Sequence, residues 1–435
     1  MREMKDSGIE WIGEIPSRWK ILRFKNIAYL YTGNSIKDEE KNRYEDENEA
    51  LPYISSKDIN VLNNTANYRN GMYIKKRDNS FKKAKKGSTL MCIEGGSAGK
   101  KKTFLSEDVC FVNKLCCFDS SQDINNKYLF YFLNSPNYEE EFKLNLSGMI
   151  GGVSVSTLKN LKLCLPSLQE QSRIASFLDS KCSEIDLLHS DIEEEIETLK
   201  EYKKSVITEA VTKGLNPDAE MKDSGIEWIG KIPKGWSVKR IKNIGEYRNG
   251  LTYTPSDITD EAEGILVLRS SNIQNGEIVL NDNVYVKNLI KSELKVSKGD
   301  ILICSRNGSR DLVGKNAIIE DNIEASFGAF MMIFRCNCSK YMYYILNSSI
   351  FTYYLGTFFT STINQLTGSN FGNMKIVFCD DKKEQNEIVS YLDSKCSEID
   401  SIIESKQQQL ETLEQYKKSL IYEYVTGKKE VPANA

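Results

Sequence analysis

The 435-residue sequence holds a single histidine, His189, and only eight prolines. One imidazole leaves no partner for a histidine acid–base dyad and no Cys2His2 zinc site. The eleven cysteines are odd in number, and none forms C-x-x-C, so they read as reduced, mostly buried thiols and no metal site is expected. No two glycines stand two residues apart, which removes G-x-G-x-x-G and with it a dinucleotide or methyl-donor fingerprint of that kind. Gly225 to Lys231 approaches a phosphate loop, but Ile232 stands where a magnesium-binding Ser or Thr is needed, and the sister copy has Glu14 in place of the lysine. The run Pro217-Asp218-Ala219-Glu220-Met221-Lys222 has its carboxylates too close together to come from two strands of a nuclease site. Asn-Pro-Pro-aromatic, the mark of amino-methyltransferases, is missing too. No catalytic constellation is left, and the expectation is a protein without chemistry of its own. Long apolar runs are also lacking: the greasiest stretch, near Phe327 to Phe334, is too short to span a bilayer, and the N-terminus has no signal-like core, so the cytoplasm is the expected compartment.

What the sequence has is duplication. DSKCSEID occurs at Asp179 to Asp186 and again at Asp393 to Asp400, and each copy leads to a YKKS, at Tyr202 and at Tyr416. In the first copy Leu178, Ile185, Ile192, Leu199 and Val206 are seven apart, with Leu188 and Tyr202 between them. The second repeats this with Leu392, Ile399, Leu413 and Leu420, interleaved by Ile402 and Tyr416 and interrupted by Lys406 and Gln409. Such spacing puts one narrow apolar seam on a charged helix, and two seams zip together most simply as a coiled coil in which polar Lys406 sets the register. His189 reads as a side chain on the flank of that seam.

The duplication extends beyond the helices. MKDSGIEWIGEIPSRW from Met4 returns as MKDSGIEWIGKIPKGW from Met221, and all four tryptophans, Trp11, Trp19, Trp228 and Trp236, lie in these copies. Their expected role is to pack each globular unit on a helix end. Downstream, each half carries an apolar run after Lys-Gly, a polar glycine-bearing loop, Gly-Lys (Gly99-Lys100, Gly314-Lys315), a second apolar run and an aromatic helical segment. A glycine-containing turn follows, from Ser147 and from Thr360, and then Glu-Gln opens the helix. The predicted fold is two pseudo-repeated α/β (α+β) recognition domains with mixed or antiparallel sheets, separated by a two-helix antiparallel coiled coil. The expected boundaries are 1–168, 169–214, 215–382 and 383–427, with a tail at 428–435. Paired antiparallel, the helices would set two unlike heads at opposite ends of a ruler. A two-headed reader of that kind suits DNA with two half-sites at a fixed gap.

The formal charge of −3 conceals a division along the chain: +5 for 1–168, −5 for 169–214, 0 for 215–382 and −3 for the remainder. The basic excess concentrates at FKKAKKG from Phe81 and at the triple Lys100, Lys101, Lys102. A lysine run is commonly a solvated face; inside a duplicated reader it becomes a candidate phosphate contact.

The opening motif in duplicate, Gly-Lys after a strand-like run, the glycine turn, Glu-Gln and the near-identical helices together resemble the specificity subunit of type I restriction-modification systems, over essentially the whole chain. The resemblance implies a non-catalytic DNA reader whose two target recognition domains each read half of a split double-stranded site. It also implies helical regions that dock two methyltransferase subunits, with restriction/translocase subunits joining them, and no membrane partner. S-adenosylmethionine, ATP and Mg are then expected on the partner subunits. Departures from the pattern lie in the second unit, which lacks the lysine clusters and has no evident equivalent of Asn113-Lys114.

Lysines position a protein on the duplex, whereas Arg and Asn distinguish base edges. The phosphate candidates are therefore Lys82, Lys83, Lys85, Lys86, Lys100, Lys101 and Lys102, and the base-reading candidates are Arg306, Asn307 and Arg310 with Lys315. A coiled-coil scaffold without DNA specificity is the competing class, and it leaves two unlike, loop-bearing heads without a task.

Overall fold

The computed structural model describes residues 2–148, 151–287, 290–358 and 364–432. It divides into two compact units, residues 2–193 with 407–432 and residues 194–406. Two long helices, Leu168–Lys213 and Lys382–Val425, each contribute one half to either unit. The helices are thus part of both units and do not stand apart as a separate region.

The first unit opens on a hairpin of Met4–Asp6 with Glu14–Pro16. Its main antiparallel sheet runs in the order Ala28–Thr32, Leu115–Ser120, Thr89–Cys92, Lys102–Phe104. A second sheet orders Tyr73–Lys75, Ala50–Ile54, Val109–Phe111 and Lys83–Ala84, with Ala50–Ile54 and Val109–Phe111 parallel. The second unit repeats the main sheet with Glu246–Asn249, Met331–Arg335, Ile301–Cys304 and Asn316–Ile318, and keeps the parallel pair as Ile265–Leu268 with Ala325–Phe327. In the first unit helices cover one face of the antiparallel main sheet and the mixed sheet packs on the other, which gives the expected α+β class.

Side chains alternate along a strand, so a sheet covered on both faces needs strands apolar at every position. Thr89–Cys92 and Ile301–Cys304 are buried throughout. The adjacent Cys116 and Cys117 follow the same rule, since Cys116 joins the core with Phe118 and the helices while Cys117 joins the opposite core with Leu90 and Phe111. All eleven thiols are free, and nine are buried.

The Glu-Gln motif and the repeated tryptophans explain one another. Trp19 Nε1 donates to Glu170 at the start of the first long helix (3.0 Å), and Trp236 Nε1 donates to Glu384 at the start of the second (3.0 Å). A carboxylate in a first helical turn also suits the helix dipole. Buried Gln171 and Gln385 donate to the carbonyls of Pro166 and Cys379, groups that would otherwise be unpaired where each strand turns into its helix. Both helices end on a left-handed glycine, Gly214 and Gly427.

Within each unit the two helices run antiparallel in the same chain. In the first unit Lys417 Nζ lies 2.5 Å from Asp186, and in the second Lys203 Nζ lies 2.6 Å from Asp400. Lys406, expected to fix the register, pairs with Glu195. The seam itself is shifted from the expected one. Leu178, Ile185, Leu392, Ile399 and Leu420 are buried and Ile192, Leu199, Val206 and Leu413 half-buried, as the heptads require. The alternate seam positions belong to Cys182, His189, Ile196 and Lys203 on one helix, and to Cys396, Ile403, Leu410 and Lys417 on the other, all buried or half-buried. Leu188 and Tyr202 (51% and 57% exposed), and their repeats Ile402 and Tyr416 (42% and 55%), face outward. Each lies one residue before the seam position, four residues beyond the preceding heptad apolar, that actually packs.

Candidate nucleic-acid interface

In the first unit three connections converge at one edge of the main sheet. The loop after Thr89–Cys92 is tied to the turn before Leu115 by Ile93 N donating to Lys114 O (3.0 Å). It is tied to the glycine turn by Val153 N to Ile93 O (2.9 Å) and Gly95 N to Gly151 O (2.8 Å). Glu94 and Lys114 emerge side by side, 3.8 Å apart and both about half exposed.

The second unit builds the same junction from different residues. Ser305 N and Arg306 N both donate to Phe330 O (2.9 and 3.1 Å), and Leu366 N donates to Ser305 O (2.7 Å). Arg306 forms an antiparallel bridge with Gln365, and Asn364 Nδ2 reaches Gly308 O (3.2 Å). Gly328 N to Leu268 O (2.9 Å) repeats Val112 N to Ile54 O (2.9 Å), so Gly328-Ala329-Phe330 occupies the place of Val112-Asn113-Lys114. Asn113-Lys114 therefore has a counterpart, Ala329-Phe330, with an exposed phenylalanine in place of the lysine. Arg306 takes the position of Glu94, and its guanidinium lies over the Phe330 ring at 5.2 Å. One scaffold therefore presents Glu and Lys in one unit, and Arg backed by an aromatic ring in the other.

Gly-Lys proves to be a packing device. A Cβ on Gly99 would stand 2.5 Å from Phe142, and one on Gly314 would stand 2.4 Å from Leu355, and both residues have φ above +70°. The lysine matching Lys315 is Lys101, not Lys100: Lys101 Nζ donates to Ser56 O (2.7 Å) and Lys315 Nζ to Ile273 O (2.9 Å), each half-buried and tying one sheet to the turn of the other.

Lys102 leaves the set of phosphate candidates. It is fully buried, pairs with Glu139 at 2.5 Å, and burial depresses its pKa, so its charge serves the interior. Lys83 and Ala84 form a short edge strand that the second unit does not repeat among its described residues. Lys83 Nζ is held by Lys76 O (2.7 Å), whereas Lys82, Lys85, Lys86 and Lys100 are exposed. Of the second-unit candidates Arg306 and Arg310 are exposed, and Asn307 is half-buried with Nδ2 on Ser270 Oγ (3.0 Å). The glycine turns named from Ser147 and Thr360 fall partly outside the described residues, at 149–150 and 360–363.

Sequence reasoning passed over Glu94, Lys114, Phe330 and Gln365 as members of these junctions. The available signal was positional: in both halves a tripeptide, Val112-Asn113-Lys114 or Gly328-Ala329-Phe330, separates two apolar strands.

Among the described residues no cluster of three His, Cys, Asp or Glu side chains forms a metal site, and no helix is long and apolar enough to cross a membrane.

Comparison with known proteins places two copies of one family model, the type I restriction modification DNA specificity domain, on residues 16–198 and 233–415. The MjaVIII specificity subunit of Methanocaldococcus jannaschii, a type I restriction enzyme subunit, is 25% identical over 95% of this chain and 93% of its own length. Those of StySPI from Salmonella potsdam and EcoKI from Escherichia coli are each 29% identical over 46% of this chain, and the chain spans less than half, 44%, of their length. A chain from a solved structure concerned with assembly and conformational transition of the type I R-M system shares the fold, with a TM-score of 0.71 at 15% identity over 95% of this chain and 99% of that one.

Proposed function

The chain belongs to the type I restriction modification DNA specificity family, and from that premise we propose that it is the non-catalytic DNA-reading subunit of a restriction-modification complex. Each unit reads one half of a bipartite, asymmetric double-stranded site. The observation that carries this reading is the shared junction with unlike residues, Glu94 with Lys114 against Arg306 with Phe330. Arginine makes bidentate contacts with guanine, whereas glutamate accepts from the cytosine amino group, so the same frame distinguishes two different half-sites. The outward-facing Leu187, Leu188 and Tyr416 of the first unit, and Tyr202 and Ile402 of the second, each offer an apolar patch beside the helical seam. Such patches suit one methyltransferase subunit apiece, with restriction/translocase subunits joining through them. S-adenosylmethionine, ATP and Mg belong to those partners. Methylome sequencing of cells with and without this chain tests the proposal: loss of one split adenine-methylation motif is expected. An unchanged methylome would favour the scaffold without DNA specificity.

A further inference from the structure

We infer that each unit also carries a phosphate-binding surface beside its opening motif, made by Arg240, Lys242 and Lys375 in the second unit, where they line a cleft, and by Arg23, Lys25 and Lys162 in the first. The inference rests on the DNA-reading proposal and adds to it the surface that grips the backbone.

In the second unit the turn Ser224-Gly225-Ile226, the strand Ser237–Arg240, the short turn Ile241–Asn243 and Lys375 enclose an open cleft of about 470 Å³. Four of its lining residues are cationic and none is acidic. Lys239 is neutralised by Asp380 and lies over the Phe378 ring. The other three are exposed, and among the described residues none has a carboxylate within ion-pair distance. Their convergence is built into the backbone: Arg240 and Lys375 are direct partners in the strand pair, and the turn that follows brings Lys242 round beside them.

The first unit reproduces the arrangement. Arg23 and Lys162 are partners in the equivalent strand pair, Lys25 lies in the equivalent turn Phe24–Asn26, and all three are exposed. The neighbouring turns match as well, with Gly8 N and Gly225 N each donating to the aspartate two residues earlier at 2.9 Å. One difference bears on strength. Glu141, which accepts from Trp11 Nε1, stands close enough to Lys162 to feel its charge. In the second unit Tyr354 occupies that place, stacking edge-on with Trp228 and accepting from Lys375 N.

The two units, set side by side, identify the occupant. Positions that differ between them, Glu94 against Arg306 and Lys114 against Phe330, belong to a surface meeting different base sequences. Arg, Lys and Lys are kept, together with the turns beside them, while the junction residues diverge, and what two unlike half-sites have in common is the sugar-phosphate backbone. Position agrees. Lys375 follows the short helix Gly368–Asn373, about 9 Å long at ~1.5 Å per residue, and Gln365, just before that helix, bridges to Arg306.

The test replaces Arg240, Lys242 and Lys375 together by Gln in the full chain and follows binding to a duplex containing the methylated motif, and to a scrambled duplex, across salt concentrations. For every phosphate left without its cation the salt slope should flatten by about 0.9 and affinity should drop roughly eightfold at 0.1 M salt, equally for both duplexes, with the methylation motif unchanged. The same change at Arg23, Lys25 and Lys162 should have a smaller effect. A properly folded variant with unaltered affinity and slope overturns the inference, as does a loss confined to the motif-bearing duplex. Loss of association with methyltransferase subunits, with DNA binding intact, would make the cleft a docking site for an acidic protein surface and also overturn it. If the unmodified chain shows no salt-dependent duplex binding and leaves the methylome unchanged, the DNA-reading proposal itself has failed, whatever the variants do.

Discussion

Gly427 lies against Trp19 so closely that a Cβ there would stand 3.0 Å from the indole ring and 2.5 Å from the Pro16 ring. The same indole donates to Glu170, so one tryptophan is gripped by the start of one long helix and the end of the other. In the second unit Trp236 is held in the same way between Glu384 and Gly214.

Gly427→Ala should therefore destabilise the first unit by more than the ~1–2 kcal/mol that left-handed backbone alone costs a residue with a Cβ. At Gly214 the nearest atoms to a Cβ are 3.3 Å away, and the alanine variant should lose only about that backbone amount. Urea denaturation of the two variants measures the difference; equal losses would refute the ranking.

Arg306→Ala should relax recognition in one half of the methylated motif and leave the other half intact, at a cost of about 1–3 kcal/mol for the preferred base. Glu94→Ala should act on the opposite half. Methylome sequencing of each variant gives the answer, and a variant that altered both halves would contradict the assignment of one junction to each half-site.

Lys85→Glu with Lys86→Glu should weaken binding to every sequence and flatten its salt dependence. Exposed lysines beside an edge strand also discourage strand-to-strand association, and if that is their whole role affinity will stay level while aggregation rises. Replacing buried Lys102 by Met should leave DNA affinity unchanged and register only in stability.

Stability should fall as the solution becomes alkaline. Burial pushes the thiols of Cys110, Cys182 and Cys396 up to about 11, and those of Cys117 and Cys164 up to about 12. Above pH 9 the unfolded chain releases these protons while the folded chain retains them, which favours unfolding. The stabilisation is whole below pH 9 and drains away between pH 9 and about 12, so urea midpoints should drop across that window; a flat profile would contradict it. Cys336 departs from the others, its thiol held below the usual cysteine range chiefly because the Cys338 thiol, 3.9 Å away, donates to it.

The architecture was largely legible because duplication makes the sequence its own alignment: the opening motif, the Glu-Gln start and the heptads each appear twice and fold alike. The errors have physical causes. At the alternate seam positions stand His189 and Lys203, less apolar than the neighbouring Leu188 and Tyr202, so hydrophobicity selected the wrong phase. The structure resolves the choice through ion pairs with the facing helix, Lys203 with Asp400 and Lys417 with Asp186. Lys102 looked like part of a surface run because its partner, Glu139, arrives only with a later helix. The Arg306–Phe330 contact joins two loops 24 residues apart, and no local pattern announces it.

Because residues 407–432 complete the unit that holds residues 2–193, that unit closes only after the unit of residues 194–406 has been made. A ribosome that halts near residue 406 would release a chain with the middle unit assembled and the leading one still lacking its closing helix. A stop codon placed between residues 407 and 425 should accordingly cripple the half-site assigned to the unit that holds residues 2–193, the reverse of what linear order suggests.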